Sequence, residues 1–169
     1  MRSSIRCGVG IAALIQVTVV VPAAVGQTAD PHACTYLTTS DWLRITGKKD
    51  LLGSGPQASK PGETGAGTTE CDFLSISLTV TSNMTPAWFA RDKGNVEKGA
   101  TDKWKVESVS GIGDEAYWMW DPRPGSNRNV GLVIRAGTKR ASIGELSDSV
   151  EQSKPVLMEL ARLTVSKLR

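Results

Sequence analysis

Apolar and polar residues alternate most cleanly from Ile76 to Thr81, where Ile76, Leu78 and Val80 interleave with Ser77, Thr79 and Thr81. Successive side chains of a strand point to opposite faces, so this period of two predicts a strand with one buried face. Upstream, Thr69, Cys71 and Phe73 share one face of a preceding strand, and Glu70 and Asp72 share the other. Trp104, Val106 and Ser108 predict a third strand. Glu115–Trp120, Val130–Arg135 and Lys139–Glu145 predict three more, the last two joined by Ala136-Gly137-Thr138.

Helical spacing appears in three places. Thr38 can cap a helix over 39–46 whose third residue is Asp41, with Trp42, Leu43 and Ile45 as its apolar face and Gly47 as its stop. Thr85-Pro86 opens a second helix, in which Trp88, Phe89 and Val96 pack and Gly99 ends the run. The C-terminal stretch 149–168 carries Leu157, Leu160, Ala161, Thr164 and Leu168 on one stripe, with Asp148-x-x-Glu151 as its cap. Pro155 there predicts an irregular first turn or a start nearer Ser153. Residues 27–33 read as an extended lead-in, and 53–69 and 122–129 as polar surface loops rich in Gly, Ser and Pro. The sum is an α+β domain: an antiparallel sheet of five to six strands with helices packed on one side and one disulfide.

The front of the chain changes what the composition means. Arg2 and Arg6 precede an uncharged apolar run from Gly8 to Val25, which ends in Pro22-Ala23-Ala24-Val25-Gly26. Basic start, apolar core and small-residue exit in that order predict a signal peptide over 1–26 and a single mature domain over 27–169. The run is barely long enough to serve as an uncleaved anchor, and Gln16, Thr18 and Pro22 weaken it. After cleavage no membrane-spanning segment is expected, and a periplasmic or secreted location is expected. The whole chain has 20 Lys and Arg against 17 Asp and Glu; without Arg2 and Arg6 the basic count is 18, near neutrality. No basic stripe remains to neutralise phosphates in series, which argues against nucleic acid as a partner. Cys7 leaves with the leader, so Cys34 and Cys71 are left to pair in an oxidising compartment. No C-x-x-C is present, so a metal or redox pair has little to build on.

Several short motifs share a pattern: Asp30-Pro31-His32-Ala33-Cys34, Leu37-Thr38-x-x-Asp41, Cys71-Asp72-Phe73 and Gly111-Ile112-Gly113-Asp114-Glu115-Ala116. In them the chain resembles small secreted or lipid-anchored bacterial domains of unknown function, typified by actinobacterial lipoproteins. The resemblance implies a bacterial source and an exported α+β domain, and it brings no catalytic residues. The lipobox of the anchored forms is missing, which implies a free form.

Candidate chemistry is sparse. His32 is the one histidine, and a nucleophilic triad would have to use it. Gly111-x-Gly113 lacks the further glycines and following helix of a phosphate loop, so a tight turn with positive φ is expected. Asp114 is expected to bond its own turn, and Asp114 and Glu115, as neighbours on a strand, to point apart. Glu70 and Asp72 supply too few oxygens for calcium. No metal, cofactor or catalytic set emerges. Asn83-Met84-Thr85 matches a glycosylation sequon that means little in a bacterial protein.

The unusual segment is Tyr117-Trp118-Met119-Trp120. Trp118 and Trp120 share a face, and if that face is open they form an aromatic platform beside Asp121, Arg123 and Arg128. If it is closed, both indoles are core, alongside Trp42 or Trp88. The candidate patch is therefore Tyr117, Trp118, Trp120, Asp121 and Arg123. The function expected is a monomeric, non-catalytic binding or interaction domain of the cell envelope, with a small molecule or an envelope protein as partner. An inhibitor or accessory subunit of an envelope complex is the alternative, and a hydrolase of unfamiliar design has the least support.

Overall fold

A computed structural model of the chain describes residues 32–47, 57–58, 67–73, 75–99, 104–123 and 128–169. Residues 1–26, expected to be a leader, lie outside the described residues, as do most of the 53–69 connection and half of the 122–129 connection. The elements run α1 (Ala33–Tyr36), α2 (Thr39–Thr46), β1 (Gln57–Ala58), β2 (Thr68–Phe73), β3 (Ile76–Thr81), α3 (Pro86–Glu97), β4 (Lys105–Val109), β5 (Glu115–Trp120), β6 (Arg128–Ala136), β7 (Lys139–Ser147) and α4 (Val150–Leu168). All strands join one antiparallel sheet in the order β1-β2-β3-β7-β6-β5-β4. Six are strands of ordinary length, and β1 adds a two-residue pairing at one edge.

The first face of the sheet carries the main core. Leu78, Ile143, Leu132 and Trp118 stand in one row across β3, β7, β6 and β5. α4 lies over β6 and β7 and lowers Leu157, Leu160, Ala161 and Leu168 onto that surface. These are the stripe positions that the 3.6-residue period singles out. The Thr164 hydroxyl, also buried, donates to the Leu160 carbonyl 2.9 Å away, so its burial leaves no orphan. Ser149, rather than Asp148, caps α4 by accepting from the Gln152 N–H. The helix begins at Val150 despite Pro155, which sits early and faces solvent.

α2 has both halves of its capping box, with Thr38 accepting from the Asp41 N–H and Asp41 accepting from the Thr38 N–H. Gly47, at φ +66°, closes it in the left-handed conformation that glycine tolerates best. Its buried Trp42 stacks on Phe73 with 5.5 Å between ring centroids. The lead-in is not extended throughout. Residues 33–36 make one turn of helix, because His32 Nδ1 accepts from the Cys34 N–H and starts it. The Cys34–Cys71 disulfide then joins α1 to β2, across a sequence separation of 37.

Three helices, α1, α2 and α4, gather on the first face, as expected. α3 does not. It packs on the second face, where Phe89, Met84, Tyr117 and Val133 form a smaller apolar cluster. The correction follows from alternation: Tyr117 and Val133 point away from α4, and something apolar has to cover them. Phe89 takes the inward direction of α3, which carries its neighbour Trp88 out to 57% exposure, against the expectation that both pack.

Candidate functional site

Register determines what lies on the rest of the second face. Met119, Gly131, Gly144, Ser77 and Asp72 are successive partners across β5, β6, β7, β3 and β2. They make one row, and its middle has no side chains. With strands about 4.8 Å apart, the Cα atoms of Met119 and Ser77 stand roughly 14 Å apart over a floor of bare peptide. Trp104, two residues before the Val106 that pairs with Met119, belongs to the same wall. The result is a groove of about 360 Å³ lined by these residues.

Neither glycine is explained by its backbone, since neither has a positive φ. A Cβ on Gly131 would come 3.2 Å from the Met119 side chain, a tight fit. A Cβ on Gly144 would meet the Ser77 hydroxyl at 3.7 Å, an ordinary contact. The sheet would accept a side chain at 144, and glycine in a strand costs about 0.5–1 kcal/mol relative to alanine. A strand glycine without a bulge marks a place where something approaches the backbone closely.

Polar side chains in the lining include Asp72, Ser75, Ser77, Asn129, Ser142 and Glu145. The Ser75 hydroxyl oxygen, in the turn between β2 and β3, is shut off from solvent and has no hydrogen-bond partner among the described residues. Such a group costs free energy unless something else satisfies it. Asp72 is exposed at the β2 end. Its neighbour on the same face, Glu70, has its carboxyl pKa raised by burial and then by the negative charge of Asp72. The groove has no histidine or cysteine in its lining, and no group of three metal-ligating side chains occurs among the described residues. Hydrogen bonding, stacking and charge attraction are what such a site can supply.

The other end of this face is closed by internal pairs. The Tyr117 hydroxyl donates to Asp92 of α3 at 3.1 Å, and Arg140 Nε donates to the same oxygen at 2.9 Å. Burial, and then the Asp92 charge, push the Tyr117 pKa up to about 12. Beyond it, Arg135 donates to Glu115 at 2.8 Å and to Asp114 at 3.2 Å, and Asp114 also accepts the Gly137 N–H at 2.8 Å. The adjacent acids therefore do converge, because Asp114 sits in the turn rather than on the strand. Asp114 bonds the β6–β7 turn instead of its own. Gly113, at φ +61°, allows this: a Cβ there would lie 2.5 Å from the Arg135 carbonyl oxygen. The Gly111–Ala116 motif is a latch between two turns.

The aromatic segment is split between the faces. Trp118 is 5% exposed beneath α4, and Trp120 is partly buried beside it. The platform is not open. Its cation is the chain's own: Lys154 of α4 places its ammonium 4.7 Å from the Trp120 ring centroid and 5.7 Å from that of Trp118. Tyr117 is fully buried on the other face. Asp121 and Arg123 pair with each other just after β5. Nothing is described of the Arg128 side chain. His32 is a helix cap, and Cys34 and Cys71 are a bridge. The residues that sequence reasoning missed are Gly131, Gly144, Trp104, Met119 and Ser77. Isolated glycines in two strand patterns were the available signal.

Compared with known proteins, the chain matches no protein family, no curated protein and no solved structure.

Proposed function

We propose that the chain is an exported, non-catalytic binding domain of the cell envelope, and that the groove over Gly131 and Gly144 is its ligand seat. The observation that carries this reading is the paired glycines themselves. They clear the middle of the second face between Met119 and Ser77, and the sheet does not need a glycine at 144. Export is supported by the leader-like order of residues 1–26, the resemblance to secreted bacterial domains, and a disulfide of the kind oxidising compartments keep. No helix among the described residues is long and apolar enough to cross a membrane.

Two experiments test the reading. Expressed with its native leader in a bacterial host, the protein is expected to leave the cytoplasm with Gln27 at or near its new N-terminus; a full-length protein that stays in the cytoplasm contradicts export. A fragment library screened by amide chemical shifts is expected to move Ser77, Gly131 and Gly144 together. Gly144→Val, which fills the floor, should abolish those shifts at unchanged folding. Hits that cluster elsewhere sink the groove.

A second reading, an accessory subunit that binds a protein, is favoured by a separate observation. Trp88 stands exposed on α3 with the Arg91 guanidinium 3.8 Å from its ring centroid, an aromatic–Arg pair of the type that anchors interfaces. Retention of an envelope protein that is lost in Trp88→Ala and kept in Gly144→Val would favour it.

A further inference from the structure

We infer that the groove selects an organic cation, a protonated amine carried on a single flat ring. The inference rests on the groove being the ligand seat and goes further by naming the chemistry of what sits there.

Shape argues for the ring. The floor is Gly131 and Gly144, with the Met119 side chain leaning against Gly131 and the Ser77 hydroxyl bordering Gly144. Roughly 14 Å between the flanking Cα atoms, less the reach of both side chains, leaves room for one six-membered ring lying on the peptide planes. Met119 offers a polarizable edge, and Trp104 beside it an aromatic surface.

Charge argues for the amine. Among the described residues, three cations packed on this face are already engaged: Arg135 with Asp114 and Glu115, Arg140 with Asp92, and Lys93 with Glu97 and Ser108. None of them lines the groove. Asp72 does line it, and its carboxylate has no ion pair among the described residues. A cation is thus drawn to the β2 end, and its field is favourable toward an indole at the other. A carboxylate ligand would meet Asp72 with no Lys or Arg in the lining to offset the repulsion.

The test uses three probes of one shape, benzylamine, benzyl alcohol and benzoate, with glucosamine against glucose as the saturated-ring arm. Binding to the mature, disulfide-bonded protein is followed by amide shifts at Gly131 and Gly144. Each amine is expected to bind at least threefold more tightly than its neutral counterpart, with benzoate weakest. Asp72→Asn should remove that preference, weakening the amine roughly threefold to tenfold and leaving the alcohol unchanged. Gly144→Val should abolish binding of every probe, and Gly144→Ala, a smaller change to the floor, should weaken it.

Neutral and cationic rings that bind equally well in the groove, with Asp72→Asn silent, overturn the cation preference and leave the seat standing. Absence of any groove-mapped binding for all five probes overturns both. Benzylamine is expected to bind more tightly than glucosamine; glucosamine binding at least as well overturns the flat ring and leaves the cation preference standing.

Discussion

The Lys154 ammonium of α4 stands 4.7 Å from the ring centroid of Trp120 on β5 and donates to Glu107 of β4 at 3.0 Å. One side chain thereby ties the start of the last helix to the edge of the sheet. Truncation to Lys154→Ala should cost about 1 kcal/mol of unfolding free energy, through the lost cation–ring contact and the exposed indoles. Lys154→Met keeps the aliphatic packing and should recover part of that loss. Urea unfolding followed by tryptophan fluorescence measures both. Equal stability of Lys154→Ala and the parent would mean that the ammonium rests there without holding anything.

The Cys34–Cys71 bridge closes a sequence separation of 37. Chain-entropy reasoning assigns such a loop about 4 kcal/mol, with measured values often nearer 2. The double variant Cys34→Ala, Cys71→Ala should fall by about 2–4 kcal/mol in urea. Mass analysis of the unreduced, denatured protein without residues 1–26, and so without Cys7, should find no alkylatable thiol.

Gly113→Ala should be among the most damaging single-methyl additions in the chain. Its φ of +61° is unfavourable for alanine, and the new methyl would sit 2.5 Å from both the Arg135 carbonyl oxygen and Ile134 Cγ2. Strain and overlap together should cost at least about 2 kcal/mol. The change is read as a lowered Tm. Gly137→Ala, with the same φ but open space around it, should cost less.

Asp41 makes stability depend on acid. The hydrogen bond from Lys167, helped by Thr38 and opposed by burial, lowers its pKa from 3.8 to about 2. A carboxylate depressed in the folded state stabilises the fold above its unfolded pKa. That contribution is lost as the pH falls from about 4 through about 2. Asp41→Asn should therefore be less stable at pH 7 and show a flatter stability profile between pH 4 and pH 2. Parallel acid profiles for parent and variant would contradict the assignment.

Much of the architecture was legible in local patterns, and the site was not. Alternation at Ile76–Thr81 and the stripe on α4 determine their elements because each buries one face against a large apolar surface. The capping residues Thr38 and Thr85 and the stop at Gly47 acted through nearest-neighbour hydrogen bonds, which sequence spacing specifies. The side of the sheet that α3 chooses is a tertiary matter. It depends on Tyr117 and Val133 meeting across β5 and β6 to receive Phe89. The groove was hidden for the same reason. Gly131 and Gly144 are unremarkable apart, and only the β6–β7 register sets them side by side. Trp118 and Trp120 drew attention as aromatics, yet a lysine 34 residues beyond Trp120 occupies their surface.

The central claim is that recognition belongs to the second face, over Gly131 and Gly144, and not to the Trp118–Trp120 surface. Hydroxyl-radical footprinting of the mature protein, with and without a saturating ring amine, tests it most directly. Labelling of Met119 and Trp104 is expected to fall when the amine is present, with Trp118, Trp120 and Trp88 unchanged. Protection at Trp120 or Trp88, with Met119 and Trp104 labelled as before, would contradict the account.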